Sequence, residues 1–263
     1  MIRVAAAADV HAGTDAAAQV AEAFAGVGRD ADVLLLAGDL TKMGAPEEAA
    51  VLAAALEPVA IPVVAVLGNH DHHVDRPDDV EATLVDAGVR VVEGGAEVVD
   101  VGGVPVGVAG VKGFGGGFED ACATEFGELE TKAFVRHTKD RASALERALA
   151  RLDTPVRIAL MHYAPIRDTL EGEHPELYPF LGSYLFAEAC DRGGANLVVH
   201  GHAHHGRERG RTPAGVPVRN VALPVLGRPY AVYVLEESDG EAAHLPSRFG
   251  LREPHEDAPV GAR

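Results

Sequence analysis

Short apolar runs alternate along the first part of the chain with segments of helical periodicity. Five such runs precede polar clusters, at residues 2–8, 33–37, 63–67, 156–161 and 197–199. Their successive apolar positions are typical of strands buried on both faces of a sheet. Segments 16–27, 46–57 and 78–87 carry apolar residues at helical spacing, and Thr14 or Asp15 is the expected N-cap of the first helix. The alternation predicts parallel βαβ units.

The middle of the chain has a different pattern. Segments 89–92, 96–101 and 104–110 predict short strands, and the Gly102-Gly103 pair between the last two predicts a hairpin turn. A long helix then places its core-facing side chains on one stripe, at Phe134, Thr138, Ala142, Leu145, Leu149 and Leu152.

A helix at 183–192 and strands at 216–221 and 230–235 complete the predicted elements. Parallel units at both ends and hairpins in the middle predict an α/β fold in which two mixed sheets pack together with helices outside. We expect one domain over residues 1–245 and a polar, loosely held C-terminal tail over residues 246–263.

The chain has 263 residues and a formal net charge of −17. This charge argues against long nucleic acids and anionic membranes as partners, because both are bound through basic residues. A small phosphorylated substrate is compatible with it, since bound divalent ions make a pocket locally positive. No segment is apolar for long enough to span a bilayer and the start lacks a signal-peptide pattern, so we expect a cytoplasmic protein. Cys122 and Cys190 are expected to be reduced thiols.

Polar clusters follow the five apolar runs directly. They are Asp9-Val10-His11, Gly38-Asp39, Gly68-Asn69-His70-Asp71, His162 and Gly201-His202-Ala203-His204. Because the carboxyl ends of strands in an open α/β sheet face one crevice, we expect these side chains to converge. They supply oxygen and imidazole nitrogen but no thiolate, which suits divalent ions that carry out hydrolysis.

The spacing within the clusters suggests how they ligate. Asp9 and His11 are two residues apart, so in extended backbone both point to the same side and can reach one ion, and the same spacing recurs at His202 and His204. Asp39 is a carboxylate at the end of a buried strand, and its two oxygens allow it to bridge two ions.

The order Asp-x-His, Gly-Asp, Gly-Asn-His-Asp, His, Gly-His-x-His resembles the calcineurin-like metallophosphoesterase family, and the resemblance covers most of the chain. It implies a four-layer α/β/β/α sandwich with two divalent metal ions, for which the donors suit Mn, Fe, Zn, Co or Ni. The implied ligands form two sets and one bridge: Asp9, His11 and His204; Asn69, His162 and His202; and the bridging Asp39. The resemblance also implies that His70 contacts the phosphoryl group or protonates the leaving oxygen, and that Asp71 orients His70.

The chain departs from one branch of this family after Asp39. Protein phosphatases of the family continue with Asp-Arg-Gly, whose Arg clamps the phosphate, whereas this chain continues Leu40-Thr41-Lys42. The Gly-Asp-Leu-Thr form resembles small bacterial phosphodiesterases. We therefore predict a hydrolase that uses metal-bound hydroxide on a small phosphoester, with diesters favoured. The alternatives are a phosphomonoesterase and a non-catalytic scaffold of the same fold, which the complete ligand set disfavours.

Other residues near the clusters receive simpler interpretations. His72, His73 and His205 are expected to be solvated, and His200 to be a buried supporting histidine. Segment 113–118 is expected to be a mobile loop at the rim of the site. The rim that selects the substrate would comprise 112–118, 163–183 and Arg228-Pro229-Tyr230, but the substrate-binding residues themselves are unknown from the sequence.

Overall fold

A computed structural model describes residues 1–119, 121–237 and 249–252. Its strands in chain order are β1 (Ile2–Ala7), β2 (Val33–Ala37), β3 (Val63–Val66), β4 (Arg90–Val91), β5 (Gly95–Val101), β6 (Val104–Val111), β7 (Gly117–Phe118), β8 (Ala121–Cys122), β9 (Val156–Met161), β10 (Leu197–His200), β11 (Arg209–Arg211), β12 (Pro217–Asn220), β13 (Ala231–Glu237) and β14 (Phe249–Leu251). Its helices are α1 (Ala17–Phe24), α2 (Val27–Asp30), α3 (Pro46–Leu56), α4 (Pro77–Asp86), α5 (Leu129–Ala150), α6 (Tyr178–Leu181), α7 (Tyr184–Gly193) and α8 (Leu223–Leu226).

The strands form two large mixed sheets and one short ribbon. The first sheet has the order β14-β13-β1-β2-β3-β4, the second has the order β11-β12-β10-β9-β6-β5, and β7 pairs with β8. In the first sheet β1 to β4 are parallel while β13 and β14 are antiparallel to their neighbours. In the second sheet β12, β10, β9 and β6 are parallel, and β5 and β11 are antiparallel edge strands.

Three apolar layers hold these sheets and helices together. Residues from both sheets, such as Leu35 and Ile158, form the central core between them. Side chains that alternate with these, such as Leu34 in β2, pack outward against α1, α3 and α4. On the far side the second sheet packs against α5 and α7 through Leu145 and Phe186. The predicted α/β/β/α sandwich with two mixed sheets is therefore confirmed.

Strands covered on both faces explain the unbroken apolar runs in the sequence. Both alternating sets of side chains in β2 are buried, and each fully buried Val or Leu contributes about 1.5–3 kcal/mol relative to exposure. The predicted hairpin is also confirmed, since β5 and β6 are joined at Gly102 and Gly103, which have φ of 60° and 86°. Two successive residues with positive φ favour glycine, because glycine has no Cβ to clash in this conformation.

The first predicted helix differs from the structure. The segment 16–27 contains α1 and the start of α2, which are separated at Gly26, a residue of low helix propensity. The N-cap of α1 is Ala16 without a side-chain cap, so the prediction of Thr14 or Asp15 is wrong. The reason is that Ala16 first donates its backbone N–H to Gly13 in a turn, which moves the helix start beyond both residues.

The predicted tail lies mostly outside the described residues. Within it, Phe249–Leu251 forms β14 and pairs with β13, and the Phe249 side chain is buried against the central core. The boundary at residue 245 stays a prediction. Both cysteines are free thiols, Cys122 exposed and Cys190 buried. In the described part of the chain no helix combines the length and apolarity needed to cross a membrane.

Candidate metal centre

The predicted ligands converge where neighbouring strands of both sheets end. Asp9 and His11 follow β1, Asp39 follows β2 and Asn69 follows β3. His162 follows β9 in the second sheet, and the His202 segment follows β10. Backbone hydrogen bonds tie these ends together, since the N–H groups of Asp9 and His11 donate to Gly38 and Asp39 at 3.0 Å each.

Donor atoms of these residues form three overlapping groups in which all atoms lie within 4.8 Å of one another. The groups are Asp9, His11 and His204; His11, Asp39 and His70; and Asp39, His162 and His202. Two of the three contain Asp39, so this carboxylate joins the sets that the family resemblance implied for separate ions. The donors in these groups are carboxylate and imidazole, and Asn69 adds an amide oxygen 2.9 Å from Nε2 of His162, a set that fits a divalent ion of the kind predicted.

Asp39 directs its two oxygens to different sides of the centre. Oδ1 lies 3.3 Å from Nε2 of His162 and accepts the backbone N–H of His70 at 2.8 Å. Oδ2 lies 3.9 Å from Nε2 of His11 and 3.9 Å from Nε2 of His70. Burial opposes ionisation of Asp39, but His162 and the hydrogen bonds outweigh it and hold the pKa of this carboxyl below its ordinary value.

Asp9 organises the first group. Its Oδ1 lies 2.8 Å from Nε2 of His204, and its Oδ2 accepts the backbone N–H of His202 at 3.0 Å. The carboxyl is buried, which opposes ionisation, yet the hydrogen bond with His204 lowers its pKa overall. The pKa of His204 is raised by the same bond. Asp9 is thus an ionised, buried carboxylate that favours a positive partner.

His162 organises the second group and is completely buried. Its Nδ1 donates to the carbonyl of Ala37 at 2.9 Å, which turns Nε2 toward Oδ1 of Asn69, 2.9 Å away. A ring fixed through Nδ1 presents its Nε2 lone pair to a metal ion. Burial alone lowers the pKa of His162, but the Asp39 carboxylate raises it to about 9. The position therefore stabilises positive charge, as a metal site must.

The backbone at the ligands is left-handed. Among the described non-glycine residues φ is positive at Asp9 (57°), His11 (47°), Asp39 (50°), His202 (70°) and Asp75 (56°). Such a conformation costs about 1–3 kcal/mol each and is concentrated at functional sites. Asp9 and His11 do lie in one donor group as expected, but extended backbone is not the reason, because the chain turns sharply at both residues to meet the end of β2.

Glycines precede three of the ligands, Asp39, Asn69 and His202, because other parts of the chain approach closely there. A Cβ at Gly68 would collide with the Asp39 carboxylate and backbone. A Cβ at Gly201 would lie 2.5 Å from Oδ2 of Asp9. The Gly-Asn and Gly-His pairs of the sequence therefore keep room for carboxylates that other strands bring in.

His70 lies at the opening of the centre, and its partner differs from the expected one. Nδ1 of His70 is 2.8 Å from the carbonyl of Lys42, and the ring contacts that of His11 at a centroid distance of 4.5 Å. The Asp71 carboxylate instead accepts the N–H groups of Leu40, Thr41 and Gly68, at 3.1, 2.8 and 2.7 Å, and the Thr41 hydroxyl at 2.5 Å. The carboxylate joins two ligand-bearing loops, and the His70 ring is bonded to the Lys42 carbonyl and not to Asp71.

The flanking histidines fall into two classes. His200 is buried and bonded to the Gly201 carbonyl at 2.8 Å and to the Thr169 hydroxyl at 2.9 Å, which confirms a supporting role. His73 and His205 are exposed as expected. His72 is half-buried and not fully solvated, because it lies on the turn that follows Asn69; burial and the charge of Lys112 lower its pKa to about 4.

The rim segments are held to each other. Gly116 donates its N–H to Pro179 at 2.7 Å and Gly117 donates to Gly182 at 2.9 Å. The segment 113–118, expected as a mobile loop, thus contains β7 and is hydrogen-bonded to the second rim segment. Tyr230 lies away from the centre, bonded to Asp30 at 2.6 Å.

Lys112 was expected only as one end of the rim segment 112–118, and the structure gives it specific contacts near the centre. It lies just after β6, and its carbonyl accepts the N–H groups of His162 and Tyr163 at 3.0 and 3.1 Å. Burial lowers the pKa of its ammonium, while Glu93 and then Asp39 oppose the shift. The available signal was its position directly after an apolar strand, which it shares with the ligand clusters.

Residues 2–206 match the family model of calcineurin-like phosphoesterases, so the chain belongs to the calcineurin-like phosphoesterase family. The family uses divalent metal ions, and the Asp and His groups described above are suited to hold them. Among curated proteins, no sequence match is found.

Two solved structures resemble the whole fold. Phosphopantetheinyl hydrolase from Mycobacterium tuberculosis is 18% identical with a TM-score of 0.63, and the alignment covers 98% of each chain. The protein TT1561 of Thermus thermophilus is 19% identical with a TM-score of 0.52, covering 88% of this chain and 97% of that chain. At these identities the likeness shows the shared fold.

Proposed function

We propose that this chain hydrolyses a small phosphoester with two divalent metal ions. The observation that carries the proposal is the buried Asp39 carboxylate, whose two oxygens face separate sets of donor atoms. A carboxylate whose two oxygens face separate sets of donor atoms is better suited to bind two ions than one. The alternative of a non-catalytic scaffold is disfavoured because every implied ligand faces the centre.

The two proposed ion positions differ in their ligands. Asp9, His11 and His204 would hold one ion, and Asn69, His162 and His202 the other, with Asp39 shared. Bound ions would supply an activated water molecule and neutralise charge on the phosphoryl oxygens. The chain itself fixes the His162 ring through the bond of its Nδ1 to the carbonyl of Ala37.

His70 is the proposed catalytic residue at the opening. Its Nδ1 faces the Lys42 carbonyl, so Nε2 is the atom that faces the open site beside Oδ2 of Asp39. From there His70 would contact the phosphoryl group or hold the proton that the departing alkoxide takes up. Asp71 would act as a positioning residue that fixes the loops carrying Asp39 and His70.

The positive charge available near the centre is the basis for the proposed substrate class. The missing Arg after Asp39 favours diesters, because a singly charged phosphoryl group needs less positive charge around it. A second candidate, a phosphomonoesterase, is favoured by Lys112, whose ammonium lies over the Tyr163 ring, and that ring contacts those of His162 and His202. The net charge of −17 supports a small substrate over a long nucleic acid in either case.

The proposal is tested by hydrolysis of nitrophenyl phosphate and bis-nitrophenyl phosphate by chelator-treated protein to which Mn²⁺, Zn²⁺, Fe²⁺, Co²⁺ or Ni²⁺ is restored. We expect metal-dependent hydrolysis with a higher kcat/KM for the diester. A reproducible preference for the monoester would support the second candidate. No hydrolysis of either ester with any metal would contradict the proposed activity.

A further inference from the structure

Lys112 stands between the two loops that carry the ligands of the buried side. Its carbonyl is bonded to the N–H groups of His162 and Tyr163. On the other side lies the turn that begins after Asn69, where the charge of Lys112 acts on His72. The backbone of Lys112 is thus bonded to the ligand His162, and its charge acts close to the turn that follows the ligand Asn69.

Aromatic rings hold the ammonium group at this place. Nζ lies 5.5 Å from the ring centroid of Phe114 and 5.8 Å from that of Tyr163. The Tyr163 ring in turn contacts the His202 ring at a centroid distance of 4.4 Å and the His162 ring at 5.6 Å. Cation–π contacts of this kind orient an ammonium group without neutralising its charge.

The Glu93 carboxylate beside Lys112 is bonded to groups other than the ammonium. Glu93 accepts the backbone N–H of Lys112 at 2.6 Å through Oε2, and its Oε1 lies 3.4 Å from Arg141. Over residues 1–119, 121–237 and 249–252, no carboxylate oxygen lies within ion-pair distance of Nζ of Lys112. A half-buried ammonium without an ion pair, beside a proposed phosphoryl site, is suited to bind an anion.

We propose that Lys112 binds the second negative charge of a doubly charged phosphoryl group and so determines how well this centre accepts monoesters relative to diesters. The inference rests on the proposed hydrolase function. It concerns selectivity between the two ester classes, whichever of them the protein hydrolyses better. Phe114 and Tyr163 act as the residues that position the ammonium group.

The test compares Lys112→Met and Lys112→Arg with the original protein and with Lys139→Met. Lys139 is a matched surface lysine on α5, ion-paired with Glu125 at 2.9 Å. Each metal-loaded protein is assayed with nitrophenyl phosphate and bis-nitrophenyl phosphate. The affinity for inorganic phosphate is measured by calorimetry at a pH where phosphate is a dianion, and Tm is recorded.

For Lys112→Met we expect kcat/KM for the monoester to fall by about 10- to 100-fold, mainly through KM, and that for the diester by about threefold or less. Phosphate affinity should fall at least about tenfold. In Lys112→Arg, which keeps the positive charge, the monoester kcat/KM and the phosphate affinity should both stay within about fivefold of those of the original protein. Lys139→Met should change none of these.

A purely structural role predicts something different. Loss of the cation–π contacts would lower Tm and slow both esters equally, leaving their ratio within about twofold, and this result would overturn the inference. Because calorimetry measures phosphate affinity directly, the role of Lys112 can be tested even if neither ester is hydrolysed. Original protein that hydrolyses neither ester refutes the proposed function, whereas unchanged phosphate affinity in Lys112→Met refutes the role of Lys112.

Discussion

The two sides of Asp39 are built differently. On the buried side, Oδ1 faces His162, whose side chain is 0% exposed, together with Asn69. On the open side, Oδ2 faces His11 and His70, whose side chains are 25% and 43% exposed. The first side is fixed by hydrogen bonds to strand backbone, such as that of His162 with Ala37, while the second borders solvent.

The difference between the two sides separates two roles. The buried side anchors the metal ligands, and the open side gives the substrate access to the centre. His162, which has no solvent contact, keeps its position when a substrate binds, because its ring is enclosed and hydrogen-bonded to Ala37. A side that borders solvent admits substrate and water and releases product. We therefore expect substitutions on the buried side to remove metal and stability, and substitutions on the open side to affect turnover first.

The largest effect is expected where the two sides meet. Asp39→Asn keeps the left-handed conformation, which Asn tolerates, but removes the charge shared by both sides. Activity should fall by at least about 10⁴-fold, since several kcal/mol of charge stabilisation depend on the ions. Asp75→Asn is the matched control, because Asp75 also has positive φ, 56°, and lies outside the three donor groups. Near-original turnover in Asp39→Asn would refute the shared role.

A smaller effect is expected on the open side. His70→Ala should retain the metal content and slow turnover of alkyl esters by about 10²–10⁴-fold, the usual contribution of general acid–base assistance. The loss should shrink for nitrophenyl esters, which depart without a proton. His73→Ala, an exposed neighbour on the same turn, should be neutral. Loss of bound metal in His70→Ala would instead make this residue a ligand.

The smallest effect on turnover is expected at Asp71, which lies behind both sides of Asp39. Asp71→Asn places an amide N–H₂ among backbone N–H donors, which leaves buried groups unpaired at about 1–3 kcal/mol. Tm should fall by several degrees and turnover by only about tenfold. Exposed Asp86→Asn serves as the control. Slowing equal to that of His70→Ala at unchanged Tm would mean that Asp71 orients His70 directly.

The interior of the sandwich could be predicted from the sequence because its strands are covered on both faces. Runs such as 33–37 and 156–161 are apolar throughout or nearly so, and the structure places β2 and β9 there. The strand Arg209–Arg211 had no such signal, since it forms only by pairing with β12. The same holds for β14, whose pairing with β13 supplies what its local sequence does not.

The residues that form the candidate site could be predicted from the sequence, but the contacts between them could not. Clusters after strands identified the donors, because strand ends bring them together whatever the loops do. The left-handed backbone at Asp9 depends on its bond to Gly38, and the partners of Asp71 on the Asp39 loop lie about thirty residues away in the chain. Such contacts depend on tertiary structure, so the local sequence gave no indication of them. The position of Lys112 among aromatic rings is a further example.

The central claim is that one centre holds two ions through Asp39, and a metal titration of the protein freed of metal tests it most directly. Mn²⁺ bound per chain would be measured by equilibrium dialysis in the original protein and in Asp39→Asn. We expect two ions per chain in the original protein and fewer than one in the variant. A single ion at saturation in the original protein, or two ions retained by Asp39→Asn, would contradict the account.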